Sequence, residues 1–167
     1  MAQADELPGA KQVSGTIVLD SERHIPYFFT YISNKLSYGA GKIYRELFGI
    51  GITEWRVMSV LAAQPNVGAH QICALLGIDK AVVSRSLRRL EELKLVKFTH
   101  TKPNGKVRPL ALSRLGMSRH GKMIEIALER EQLLLSVLTA EEKIALVHMM
   151  KKLRTAVDKV NKWQPSR

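Results

Sequence analysis

The chain has 167 residues, 46% of them hydrophobic and 25% charged. That is the balance of one folded domain, or of one domain with an added oligomerisation element, and it excludes a disordered chain. The formal net charge is +11 and it has a location: residues 1–78 are neutral overall, whereas residues 79–114 hold ten Lys/Arg against three Asp/Glu. Charge gathered in this way points to a polyanionic partner. A single cysteine, Cys73, excludes an intrachain disulfide framework and a cysteine-rich metal site. No apolar run reaches the ~18–20 residues of a membrane span, and the N-terminus lacks the apolar core of a signal peptide. A cytoplasmic protein with no membrane partner and no cofactor is the expectation.

Residues 1–20, with Pro8, Gly9 and Gly15, read as a flexible N-terminal arm. A long helix follows from about Ser21. Ile25, Phe28, Phe29, Ile32, Leu36, Ala40, Ile43 and Leu47 recur at helical spacing, and Gly49 and Gly51 end the pattern. Residues 21–50 are therefore assigned as one long N-terminal helix. Thr53 is read as the N-cap of a short helix that stops before Pro65, and Gly68 leads into another, closed by Gly77. Asp79 caps the next helix, so the tight Gly77-Ile78 turn joins two helices as a helix-turn-helix.

Residues 95–101 read as a strand, Asn104-Gly105 as a hairpin turn, and residues 107–112 as the returning strand. Pro109 cannot donate to a ladder, which places it at an edge or a bulge. A hairpin directly after a helix-turn-helix makes a wing, and residues 51–112 form the predicted winged helix-turn-helix. Residues 113–163 complete the chain as two C-terminal helices. Ser113 opens the first of these. Thr139-x-x-Glu142 is a capping box opening the second, in which Leu146, Met150, Leu153, Val157 and Val160 form a seam for side-by-side packing. The predicted fold class is mainly α with a small β-wing.

On a helical wheel of residues 79–93, Val82, Val83, Ser86, Leu87, Leu90 and Leu93 face inward. Ala81, Ser84, Arg85, Arg88 and Glu92 share the opposite face, flanked by Lys80 and Arg89. One helix fits the major groove of double-stranded DNA. Arg85 and Arg88 suit bidentate contact with guanine, Ser84 a base edge or phosphate, and Ala81 a thymine methyl. Lys80 and Arg89 suit phosphates. At the hairpin, Lys102, Asn104, Lys106 and Arg108 form a basic tip suited to the minor groove.

These motifs together resemble the MarR family of bacterial winged helix-turn-helix transcriptional regulators. The resemblance rests on Ile52-Thr53-x-Trp55-Arg56-Val57, Leu76-Gly77-Ile78-Asp79-Lys80, Val83-Ser84-Arg85-x-Leu87-x-x-Leu90 and Leu110-x-Leu112-Ser113, and it covers residues 51–116 closely. It implies a homodimer whose terminal helices pair, which makes residues 21–50 a dimerisation helix. It also implies a palindromic operator with half-sites about one helical turn apart, and repression relieved by a small-molecule effector, often an aromatic acid. One departure stands out. The family wing usually carries Asp-x-Arg, where this chain has Asn104 and Lys106. Lysine lacks the planar fork of arginine, so the expectation is that wing readout is either weaker at Lys106 or shifted to Arg108.

Tyr27, Tyr31, Asn34 and Tyr38 form a second stripe on the first long helix. By the resemblance, an effector pocket lies between the dimer helices and the winged domain. Tyr31, Tyr38 and Trp55 are its candidate lining, with His24 or Arg56 pairing a carboxylate. The plainer alternative makes Trp55 core and the tyrosines interface. Cys73, among Ile72, Leu75 and Leu76, reads as a small core residue rather than a redox sensor.

Two other functional classes fit the sequence less well. Gly39-Ala40-Gly41-Lys42 lacks phosphate-loop spacing and falls inside a helical pattern, and no catalytic motif or metal-ligand spacing occurs. The chain is accordingly read as no enzyme. A winged helix used purely for protein interaction, or a constitutive DNA-binding protein without a ligand, is the alternative. The basic helix and wing disfavour the interaction module.

Overall fold

The computed structural model describes residues 8–99 and 108–165. It is mainly helical, with six helices and two small antiparallel sheets among those residues. The order is β1 (Ala10–Val13), β2 (Thr16–Leu19), α1 (Ile25–Phe48), α2 (Ile52–Ala63), α3 (Ala69–Leu76), α4 (Lys80–Glu92), β3 (Val96–Phe98), β4 (Leu110–Leu112), α5 (Arg114–Leu135) and α6 (Ala140–Lys162). By contact density the chain divides into two units, Met1–Met123 and Ile124–Arg167.

The core of the first unit is the three-helix body α2–α4 with the wing strands. Ile50, Met58, Leu61, Ile72, Leu90, Leu95 and Met123 are fully buried. Full burial of such a side chain contributes roughly 1.5–3 kcal/mol, which makes this cluster the main source of stability in the unit. β3 and β4 pair with Val96 opposite Leu112 and Phe98 opposite Leu110. The ladder extends at Thr99, whose amide donates to the Pro109 carbonyl at 2.9 Å. β4 is also held on its other edge. Leu110 N–H donates to Val67 O at 3.0 Å, and Asn66 N–H donates to Leu110 O at 2.9 Å. The root of the wing is thereby fixed to the α2–α3 connection.

Several expectations shift. Within the expected N-terminal arm, residues 10–19 form a hairpin, in which Ala10 pairs with Leu19 and Val13 with Thr16. Gly9 and Gly15 take the positive φ angles its turns require. Asp20 anchors it: its amide donates to Gly9 O at 2.9 Å, and its carboxylate accepts from Lys11 Nζ at 3.4 Å. The long helix begins at Ile25, not Ser21, because Pro26 is accommodated only in the first turn. Thr53 is not the cap of α2. Gly51 holds that position, and Thr53 is already inside the helix.

The apolar stripe of α1 is the largest difference. Only Ala40, Gly41 and Tyr44 are buried on this helix, whereas Ile25, Phe28, Phe29, Ile32 and Leu47 are exposed. Helical periodicity reports an apolar face without saying what covers it. Within this unit only the C-terminal half of α1 meets α2. Tyr44, placed in neither sequence stripe, is 2% exposed. It packs on Trp55 at 5.3 Å, and Trp55 stacks on His120 at 5.0 Å, so three aromatic rings join α1, α2 and α5.

In the second unit, the Thr139 hydroxyl accepts from Glu142 N–H at 3.2 Å while the Glu142 carboxylate accepts from Thr139 N–H at 2.8 Å. This is the predicted capping box. The Leu146, Met150, Leu153, Val157 and Val160 seam is exposed. Among the described residues no helix is long and apolar enough to cross a membrane.

Candidate nucleic-acid interface

The exposed basic helix is α4. Its start is set by Asp79, whose carboxylate accepts from Ala81 N–H at 2.6 Å. The cap satisfies a donor that the helix cannot, at a typical value of about 1 kcal/mol. Val83, Ser86 and Leu90 are buried, and Val82, Leu87 and Leu93 are half-buried. Ala81, Ser84, Arg85, Arg88 and Glu92 are exposed. The two faces are those of the helical wheel.

The charges on the open face differ in their freedom. Arg89 pairs with Glu92 at 3.3 Å. Both are more than half exposed, so the pair is worth little and yields readily to a phosphate. Arg85, Arg88 and Lys80 form no ion pair among the described residues. A guanidinium fork without an acidic partner keeps all five donors available.

The C-terminal end of α4 is fastened to the wing. Lys94 turns the chain with φ +57°, Leu95 N–H donates to Leu90 O at 2.8 Å, and the Ser113 hydroxyl donates to Lys94 O at 2.7 Å. Arg108 enters the wing with its guanidinium 3.9 Å from the centroid of the Phe98 ring. That is a cation–π contact at the root of the wing. Lys102, Asn104 and Lys106 lie outside the described residues.

Ser86 and Glu54 were not singled out as a pair by their sequence pattern. Ser86 is 3% exposed on the inner face of α4, and its hydroxyl donates to Glu54 Oε1 at 2.8 Å. Glu54 lies in the first turn of α2, 32 residues earlier, and no local spacing signals such a contact.

The five candidate effector residues do not gather into one cavity in the single chain. Trp55 and Arg56 line an open cavity of about 370 Å³ between α2 and α3, with Ser59, Val60, Leu75 and Leu76. Arg56 also donates to Ser37 Oγ at 2.7 Å. His24 is instead the N-cap residue of α1. Tyr31 stacks on Tyr27 at 6.4 Å, and Tyr38 is 75% exposed. Trp55 is mostly buried between Tyr44 and His120. Cys73 is half-buried in α3. Among the described residues no His/Cys/Asp/Glu group could hold a metal ion.

Comparison with known proteins matches this geometry. The MarR family model aligns with residues 48–106. A MarR/EmrR family transcriptional regulator from Acinetobacter sp. ADP1 is 33% identical, with a TM-score of 0.79 over 84% of this chain and 99% of that one. The chain belongs to the MarR family. Members of this family are transcriptional regulators, not enzymes. The fold recurs in MepR of S. aureus, determined in complex with DNA, at 24% identity and a TM-score of 0.71 over 80% of this chain and 96% of that one. PcaV of Streptomyces coelicolor, determined with its natural ligand, matches at 15% identity and a TM-score of 0.70 over 84% and 98% of the two chains. No curated protein sequence gives a significant match.

Proposed function

We propose that this MarR-family regulator is a cytoplasmic repressor that binds a palindromic DNA operator as a homodimer and is released by a small aromatic acid. The observation that carries the reading is the open face of α4, where Ser84, Arg85 and Arg88 stand exposed, the two arginines without an ion pair among the described residues, on a helix capped by Asp79. Arg85 and Arg88 read bases, while Lys80 and Arg89 hold phosphates. Arg108, braced on Phe98, leads a wing whose Lys102, Asn104 and Lys106 complete the groove contacts. MepR, of the same fold, is known in complex with DNA.

Pairing of two chains is supported by the apolar side chains exposed on each unit: Phe28, Phe29 and Ile32 on α1, and Met150, Leu153 and Val157 on α6. Patches of this kind on a single chain mark an interaction surface. The cavity at Trp55 and Arg56 supplies an aromatic wall and a cation, the chemistry that selects an aromatic carboxylate. His24, Tyr31 and Tyr38 would join such a site only from the paired assembly.

The test is a binding titration on a duplex selected by the protein from a random pool and on a scrambled duplex. Arg85→Ala and Arg88→Ala should lose about tenfold or more on the selected duplex and far less on the scrambled one, the loss expected of a base contact. Lys80→Ala should weaken both alike. Equal losses for all three would contradict base reading by α4. Adding aromatic carboxylates to the same complex tests the effector, and no release by any of them would count against it.

A further inference from the structure

We infer that Ser86, Glu54 and Gly51 form a positioning clamp that sets the rotation of α4 about its own axis, and so decides where Arg85 and Arg88 point. The inference rests on the DNA-reading role of α4. Apolar contacts hold the inner face of this helix through Val83 and Leu90, both fully buried. Such contacts are non-directional and leave a helix free to roll by a small angle. The hydrogen bond from Ser86 Oγ to Glu54 Oε1, at 2.8 Å, is directional. Ser86 is the buried polar side chain of α4, and it lies between the two arginines in sequence.

Successive residues on a helix are separated by about 100°, so fixing the azimuth of Ser86 fixes those of Arg85 and Arg88. A bidentate guanine contact tolerates only a few tenths of an ångström of error, which makes the setting consequential.

Gly51 gives the clamp its third part. A Cβ at this position would sit 2.5 Å from Glu54 Oε2. The carboxylate therefore occupies the space that a side chain at residue 51 would need. Gly51 takes an extended conformation, φ −80° and ψ 172°, that any residue can adopt. The absence of a side chain here serves room for Glu54 rather than backbone freedom.

The experiment compares affinity for a duplex selected by the wild-type protein with affinity for a scrambled duplex of equal length, in variants shown to be folded by circular dichroism. Ser86→Ala should lower the selected-to-scrambled ratio about tenfold while leaving scrambled-duplex affinity within about twofold. Gly51→Ala should do the same by displacing the carboxylate. Glu54→Gln keeps an oxygen acceptor at the same place and should retain most of the ratio. A wild-type ratio in Ser86→Ala or Gly51→Ala would overturn the inference, as would a parallel loss on both duplexes, which marks a contact needed for folding alone. Should the wild-type protein select no duplex, the DNA-reading role itself fails and the clamp with it.

Discussion

At the scale of single residues, some of the tightest constraints lie where the sequence looks least specific. Gly116 reads as a weak point in the first turn of α5, because glycine disfavours helix. In the structure it packs directly on the backbone of Leu95, and a Cβ there would collide with the Leu95 carbonyl. That carbonyl is fixed in turn, since it accepts from Ser113 N–H at 2.9 Å. Gly116→Ala should destabilise the protein by about 2 kcal/mol or more, measured by chemical denaturation, despite the better helix propensity of alanine. His120 is the other case. Its burial against Trp55 holds its pKa below the ordinary 6.5. As pH falls, the unfolded chain takes up the proton first. The contribution of His120 is full above about pH 6.5 and is lost as pH drops toward the lowered folded value. The melting temperature of His120→Phe should therefore fall less between about pH 7.5 and 5 than that of the wild type; equal falls would remove the histidine from the account.

At the scale of elements, legibility followed the locality of the signal. The limits and faces of α4 could be read because the cap, the apolar spacing and the basic residues all lie within 15 positions of one another. The same holds for the Thr139 capping box of α6. Asp79→Ala removes the one side-chain cap of α4, and its loss should cost about 1 kcal/mol on denaturation while weakening cognate DNA binding. Unchanged stability would show that the helix start is fixed by tertiary packing alone. By contrast α1 was legible as a helix but not in its burial. A stripe of Ile25, Phe29, Ile32 and Leu36 has the same spacing whether a neighbouring element or another chain covers it. The aromatic set Tyr44, Trp55 and His120 spans three helices, and the Ser86–Glu54 bond spans 32 residues. Contacts between distant segments leave no periodic trace. The hairpin at residues 10–19 is hard to read because its turn is Ser14-Gly15, a weaker hairpin signal than Asn104-Gly105, and it lies near the N-terminus, where loose chain is the ordinary expectation.

At the scale of the whole molecule, charge and apolar surface are separated along the chain. The basic excess lies in residues 79–114, on and beside α4, while exposed apolar residues concentrate on α1 and α6. This separation along the chain is the one that the proposed DNA-binding homodimer needs. The winged helix-turn-helix was recoverable from motifs because each motif carries its own local physics. The five candidate effector residues share no such local motif, and in the single chain His24, Tyr31 and Tyr38 lie apart from the cavity at Trp55 and Arg56. The central claim is that the cations of α4 and the wing bind duplex DNA. The most direct test is the affinity for a selected duplex measured across salt concentrations. Several phosphate contacts should release counterions, so affinity should fall at least about a hundredfold between roughly 50 and 200 mM salt. Affinity that stays flat over that range would contradict the account.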